Sequence, residues 1–417
     1  MNKFWSWGKD VYLRDTFASF GYRNYMYLWL GQTTHSGALW IDMVVRPLLV
    51  LDLTGSPLHL GMVMACRALP NMMLSVFAGV VADSFNRRTV LMVTKILILL
   101  ISAIFASLII MGWIQLWQVY VLTFLRGSTM AFDQPARRAI IPSIVPDNLV
   151  TNAMALSSSS IQVMRILGAG TAGLIIAISG IEMAFVAIVV FYAAALYFTY
   201  VMKLPEHQGI GYKGLNNARN SLVEGIRFAF GDPAIRGVFI VALGYYAFGM
   251  TFISIFAPLF AIEMLGLGSS GLGYLISVVG IGGVIGSLCI AAINPVKRGL
   301  LLLGILMGLG GSLLLFAILS YTGLTLILFV LAAFIGVCTA VFLPVINAVL
   351  VQAAPENMRG RVLGLVSLDR GMTTLGGVAA GLLVVLLGLQ VSQIIFGVGC
   401  IFSAIIIFLI VPQLKKI

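Results

Sequence analysis

Charged residues are scarce in this sequence. Asp, Glu, Lys and Arg together make up 9% of its 417 residues, hydrophobic residues make up 60%, and the mean hydropathy is +1.07. A water-soluble domain carries about a quarter charged residues, so a soluble globular chain is excluded. Cysteine is scarce too. Cys66, Cys289, Cys338 and Cys400 all fall in apolar segments without metal-ligand spacing, which argues against a disulfide framework or a zinc site. The histidines, His35, His59 and His207, are scattered and form no metal-binding set. His35 is either a titrating group or a hydrogen-bonded histidine of a helix. No Gly-x4-Gly-Lys-Ser/Thr loop occurs, so direct drive by ATP is not expected. No nucleophile stands beside a base and no sizeable polar domain exists, which disfavours an intramembrane enzyme or a receptor. No metal or cofactor is expected. The first 23 residues contain Trp5 and Trp7 but no apolar signal-peptide core, and read as an interfacial lead-in.

Apolar runs are what the chain has in abundance. A spanning helix needs about 20 mostly apolar residues. Twelve segments meet that length, near 25–51, 58–82, 89–111, 116–135, 149–178, 181–203, 236–262, 271–294, 299–320, 324–349, 361–387 and 391–412. Continuous runs rather than short alternating ones indicate helices, not a barrel. The expected fold is therefore an all-α membrane protein of twelve transmembrane helices, embedded in a lipid bilayer.

Basic residues set the orientation. With the N-terminus cytoplasmic, the inner loops and helix ends collect Arg14, Arg23, Arg87, Arg88, Lys95, Arg137, Arg138, Arg236, Arg298 and Arg359 among others, and the outer loops hold no Lys or Arg. That asymmetry follows the positive-inside rule and predicts that both termini are cytoplasmic. It also accounts for the net charge of +11 without nucleic acid as a partner.

The longest polar interruption divides the chain in two. The predicted organisation is a lead-in over 1–24, a six-helix bundle over 25–203, a linker over 204–235, a second six-helix bundle over 236–412 and a tail over 413–417. Ser221 and Glu224 form a capping box for an amphipathic linker helix with Leu222, Val223, Ile226 and Phe230. The halves repeat weakly: Pro135, Ala139, Pro146, Asp147, Asn148 and Gly168 recur 209 residues later as Pro344, Ala348, Pro355, Glu356, Asn357 and Gly377. Duplicated bundles are the architecture of secondary transporters, whose substrate site lies near mid-membrane between the halves.

The segment Gly79-Val-Val-Ala-Asp83-Ser-Phe-Asn-Arg87-Arg88, between spans two and three, resembles the signature of the major facilitator superfamily. Leu53-Thr-Gly-Ser-Pro-Leu-His-Leu-Gly61 and Phe132-Asp-Gln-Pro-Ala-Arg-Arg-Ala-Ile-Ile-Pro142 are similar to its branch of enterobactin exporters and transmembrane secretion effectors. Ser84 and Asn86 replace the usual basic residue and glycine. In Arg165-Ile-Leu-Gly168-Ala-Gly170-Thr-Ala-Gly173, Ala169 stands where the antiporter motif has a proline. The resemblance implies a transporter of the cytoplasmic (inner) membrane that alternates access. In it, Gly79, Asp83, Arg87, Arg88 and Asp133 form an inner gate, with Asp133 able to accept from Arg87 or Arg88. The same basic residues also read simply as positive-inside anchors.

Charges within the spans mark the rest of the site, because a charge at the bilayer centre costs about 2.5–3.5 kcal/mol even on lenient scales. Asp42 and Arg46 share a helix face; Arg67, Arg126 and Arg165 lie about halfway along their spans; Asp369 and Arg370 lie two turns into span eleven. Arg126 matches by resemblance the span-four arginine linked to proton transfer. Desolvation and a nearby arginine act oppositely on a carboxylate, so one whose arginine swings away can change protonation. Asp42, Arg46, Arg126 and Asp369 are thus candidates for proton coupling. Asp42 and Arg46 also fit a mutually neutralising structural pair, and Asp369 and Arg370 fit groups facing water. Arg67, Arg165, Arg370, Trp40, Tyr245 and Tyr246 are candidate cavity residues. The surplus arginines either attract an anionic substrate or bind backbone carbonyls, and the aromatic residues either line a pocket or pack.

The expected function is a proton-coupled exporter of an amphipathic small molecule, such as a drug or siderophore, acting as a monomer on the proton gradient. A same-fold carrier of lipid or solute in another direction is the alternative. The strings Gly168–Gly173 and Gly266–Gly271 fit a dinucleotide fingerprint in letters, but follow no strand, and read as helix packing and an outer turn.

Overall fold

The computed structural model describes residues 17–203, 227, 231–293, 297–353 and 371–411, and these contain no strand. Helix α1 (Arg23–Thr54) ends at Gly55, whose φ of 59° is left-handed and whose N–H donates to the Leu51 carbonyl; glycine takes this cap without a Cβ clash. Helix α2 (Pro57–Ser84) opens on a proline, where the missing N–H costs nothing. Helix α3 (Arg87–Ile110) is capped by Asn86, whose side chain accepts from the Arg88 N–H. Helix α4 (Leu116–Ile144) starts in a capping box of Gln115 and Gln118.

The next stretch, Val150–Val201, is broken at Gly180, with φ 84° and ψ 174°. Only glycine occupies that region comfortably. Its 52 residues would otherwise run about 78 Å, far beyond a hydrocarbon core of about 30 Å, so the break turns the chain back. The parts over 150–179 and 181–201 are α5 and α6. Helix α7 begins as Pro233–Gly244 and continues through π-helical turns at Tyr245–Gly249, Phe252–Phe256 and Phe260–Met264. Then come α8 (Gly268–Ile293), α9 (Arg298–Leu319), α10 (Thr325–Ala353), α11 (Gly371–Leu387) and α12 (Leu389–Ile410). Among the described residues, seven helical stretches are long and apolar enough to cross a membrane, with Asn152–Val201, which holds both α5 and α6, counted as one. Helices α1 and α4 are outside that set; both carry several charged residues. The linker pattern at Ser221–Phe230 and the pair Asp369 and Arg370 lie outside the described residues, as do the side chains of Gly79 and Asp83.

Helix pairing repeats with a shift of six. Helix α2 packs on α4 as α8 packs on α10, and α3 packs on α6 as α9 packs on α12. Pro135 and Pro344, related in the sequence repeat, sit inside α4 and α10. The two sets of six meet through α2 with α11 and α5 with α8. The close approaches cluster at the end of the molecule where α1 turns into α2: Gly381 lies against Pro57 and Leu58, Gly61 against Gly377, and Gly173 against Ser270 and Gly273. The glycine string of α5 is therefore a packing surface, and Gly266 and Gly268 form a turn with positive φ. Large apolar side chains such as Phe124, Val190, Leu288 and Phe402 stand exposed around the outside, a surface that lipid solvates and water does not.

In the α8–α10 contact, a Cβ on Gly282 would collide with the Ala333 carbonyl, whereas one on Gly304 meets nothing. Overpacking costs about 1–3 kcal/mol or more. Gly282→Val is expected to lower the thermal unfolding midpoint in detergent and Gly304→Val to leave it unchanged. Equal midpoints for the two variants would rule out that close contact.

Candidate functional site

Antiparallel helices that share an end bring residues together when their distances from that end match. Counted from the α1–α2 turn at 1.5 Å per residue, Asp42, Arg46, Arg67, Arg126 and Tyr192 all lie about 12–18 Å deep, although they come from four helices. They meet there. Arg46 lies one turn after Asp42 and donates from Nε to both carboxylate oxygens at 3.1 Å and from Nη2 to Oδ1 at 2.6 Å. Arg126 reaches across from α4, its Nη1 lying 2.5 Å from Oδ2 of Asp42. Asp42 is 1% exposed and Arg126 2%, so both charges are withdrawn from bulk water. The pair expected within α1 is thus a three-residue clamp between two helices.

The arginines are held in turn. Arg46 Nη1 donates to the Thr123 hydroxyl at 2.8 Å, and its guanidinium lies 4.5 Å from the centre of the Phe105 ring. Arg126 Nη2 donates to the Tyr192 hydroxyl at 2.6 Å. Arg67, on α2, has no carboxylate partner among the described residues; its Nη1 lies 2.8 Å from the Met43 sulfur. Asp42, Arg46, Arg67, Thr123 and Ser254 of α7 surround a cavity of about 30 Å³. That is room enough for a water molecule, and it opens the carboxylate to the junction of the two halves.

A second layer lies about 22–32 Å from the same end by the same measure. Asp133 pairs with Lys95 Nζ at 2.6 Å and stands 3.6 Å from Arg137 Nη1, an ion pair too long for a hydrogen bond. Lys95 also lies 3.0 Å from His35 Nδ1, and the His35 ring meets Tyr192 edge-on at 5.2 Å. Because a charged lysine only donates, Nδ1 of His35 is the acceptor in that contact. Asp42, Arg126 and Tyr192 thus form one buried polar cluster and His35, Lys95 and Asp133 another, and the ring contact of Tyr192 with His35 joins the two.

Sequence reasoning missed much of this second layer. Lys95 was expected among the inner basic ends, yet it is 2% exposed. It lies eight residues inside α3, and counting from the helix start is the signal that identifies it. His35 faces Lys95 rather than standing alone. Nothing in the sequence flags Tyr192, which is one of many tyrosines. In the gate motif, Asp133 is held by Lys95 and Arg137, while Arg88 Nη2 donates to the Tyr200 carbonyl at 2.9 Å.

The remaining cavity candidates separate by position. Arg165 of α5 lies over the Trp40 ring at 5.7 Å. Tyr245 stacks on Phe342 with ring centres 3.7 Å apart and donates to the Thr339 carbonyl at 3.2 Å. Tyr246 meets both rings edge-on, which places the pair of tyrosines between α7 and α10.

Two sets of helices joined around buried charges match the architecture of secondary transporters. Similarity to solved structures agrees on the fold. The chain superposes on the nucleoside transporter NupG with a TM-score of 0.75 at 14% identity, covering 93% of this chain and 99% of that one. A bacterial homologue of the human lysosomal transporter Spinster gives 0.72 at 13%, covering 94% and 97%. The family model described as "Transmembrane secretion effector" matches residues 14–416, and the chain belongs to that family of the major facilitator superfamily. Among curated relatives it is 25% identical to the staphyloferrin A transporter of Staphylococcus aureus over 90% of this chain and 93% of that protein. It is 28% identical to the multidrug efflux pump Tap of Mycolicibacterium fortuitum, over 87% and 91%.

Proposed function

We propose that this transporter exports an amphipathic small molecule from the cytoplasm in exchange for protons, through twelve spans in two bundles with both termini cytoplasmic. The observation that carries the reading is the clamp on Asp42. Its carboxylate is compensated by cations from two helices, so the compensation depends on how those helices sit. A motion that withdraws Arg126 leaves a buried carboxylate in hydrocarbon with less counter-charge, and taking up a proton neutralises it. The cavity beside Arg67 and Ser254 connects that event to the junction of the halves. Helix movement and protonation are then one equilibrium, each biasing the other through differential contacts.

The sidedness follows from charge and packing together. Basic residues gather at the end away from the α1–α2 turn, which supports an outward-facing position for that turn. The halves are in close contact at this outer end, so the arrangement is one with the outer side shut. Relatives named for siderophore and drug transport support a small-molecule cargo and an exporting role. The reading has the protein working in the cytoplasmic membrane as a single copy.

The test is flux in reconstituted vesicles. With an imposed pH gradient, a panel of fluorescent amphipathic compounds should include at least one that accumulates against its gradient and releases protons as it moves. Accumulation that survives collapse of the gradient by an ionophore would overturn the coupling. The gate motif has its own check: Asp83→Asn is expected to change the labelling rate of cysteines placed on the inner face without removing cargo binding, and labelling identical to the parent would argue against a gate.

A further inference from the structure

Arg165 differs from the other buried arginines in having an unused edge. It is 6% exposed, and its Nε and Nη2 are both buried without a hydrogen-bond partner. Among the described residues no carboxylate pairs with it. Nε and Nη2 together are the side of a guanidinium that grips a carboxylate with two parallel bonds. Arg46 spends this same edge on Asp42. Arg165 has it free.

Groups from two other helices pack around this guanidinium. Trp40 of α1 stacks beneath the guanidinium, and its indole Nε1 is also buried without a partner. From α8 the backbone at Gly283 comes so close that a Cβ there would overlap Arg165 Nη2. Arg165, Trp40 and Gly283 each lie about 21–23 Å from the outer end, counted along their own helices. Two belong to the first half and one to the second, so the free donors sit where the halves meet. Burying such donors unpaired is unfavourable, and an oxygen that accepted from them would relieve that cost. Asp42 is taken by Arg46 and Arg126 and has Arg67 beside it, so it is not available to Arg165.

We propose that Arg165 and the Trp40 indole N–H form the docking point for an anionic oxygen group, such as a carboxylate or catecholate, on the transported molecule. The cargo oxygens take both donors of the Arg165 edge, and the Trp40 N–H supplies a third bond. Gly283 leaves the space the guanidinium needs. This deepens the exporter reading and rests on it only for the claim that the bound anion is cargo.

Binding is measured on the purified full-length protein by calorimetry, with three probes sharing one ring: 2-naphthoate, its neutral methyl ester and a naphthylmethyl trimethylammonium cation. The parent should bind 2-naphthoate more tightly than the other two. Arg165→Gln should weaken 2-naphthoate at least tenfold and leave the ester unchanged, and Arg165→Lys, which keeps charge but not the fork, should fall between. Gly283→Ala, which crowds the guanidinium without altering charge, should weaken the anion as well. Ligand-free Arg165→Met should have a thermal midpoint equal to or above the parent's, because it removes an unpaired buried charge. A preference for the ester or the cation, an unaltered 2-naphthoate affinity in Arg165→Gln, or a lowered midpoint in Arg165→Met would each overturn the proposal. Vesicle flux of cationic or neutral compounds would meanwhile stand, so failure of the anion site is distinguishable from failure of the exporter reading.

Discussion

Asp42→Asn is expected to reduce pH-driven uphill transport to background while exchange of cargo down its own gradient persists. Asparagine keeps the shape of the side chain and can still accept from Arg46 and Arg126, but it removes the negative charge and the group that binds and releases a proton. Two arginines, one 2% exposed and the other 8%, are then left without their anion. Removing one partner of a buried pair costs about 3–5 kcal/mol, so a fall in the thermal midpoint should accompany the transport defect. Asp42→Glu separates the two effects, since it restores a titratable carboxylate on a longer arm and should recover part of the pH-driven flux. Asn at this position with parental pH-driven accumulation would take Asp42 out of the coupling.

The second large effect is expected at Asp133, where no carrier chemistry is invoked. Lys95 is fully enclosed, and Asp133 is its charge partner, with Arg137 close by. Asp133→Asn leaves two cations facing each other in the interior. A loss of several kcal/mol is expected by the same reasoning, seen as a midpoint lower by on the order of 10 °C, or as failure to accumulate in the membrane. Replacing the pair together, Lys95→Met with Asp133→Leu, should recover much of that loss, because apolar groups of similar volume often match a buried ion pair in stability. If Asp133→Asn alone were as stable as the parent, the second layer would not be an electrostatic unit.

The two layers differ in what they ask of the protein. Asp42 is shared between helices α1 and α4 and borders a cavity at the junction of the halves. Asp133 is enclosed within the first half by α3 and its own helix. A rearrangement between halves can therefore change the cavity wall that Ser254 supplies beside Asp42, whereas the second layer has no such border. Tyr192 and His35 join them.

Composition and periodicity alone determine that the chain lives in lipid and that it is helical, and they predict a division near residues 204–235. They do so because hydrocarbon admits only backbones whose polar groups are satisfied within a helix or a closed barrel. Asp42, Arg46, Arg67, Arg126 and Arg165 were legible for the same reason: a charge inside an apolar run is expensive wherever it points. The partners were not legible. That Arg126 closes on Asp42 from 84 positions away, that Lys95 lies buried against His35, and that Arg165 keeps an unpaired edge beside Gly283 all depend on which helices pack together. Those choices are made by glycine contacts such as Gly61 against Gly377 and Gly282 against Ala333. Sequence periodicity gives the face of a helix and the depth of a residue along it; only packing in three dimensions decides which charge finds a partner and which is left waiting for one.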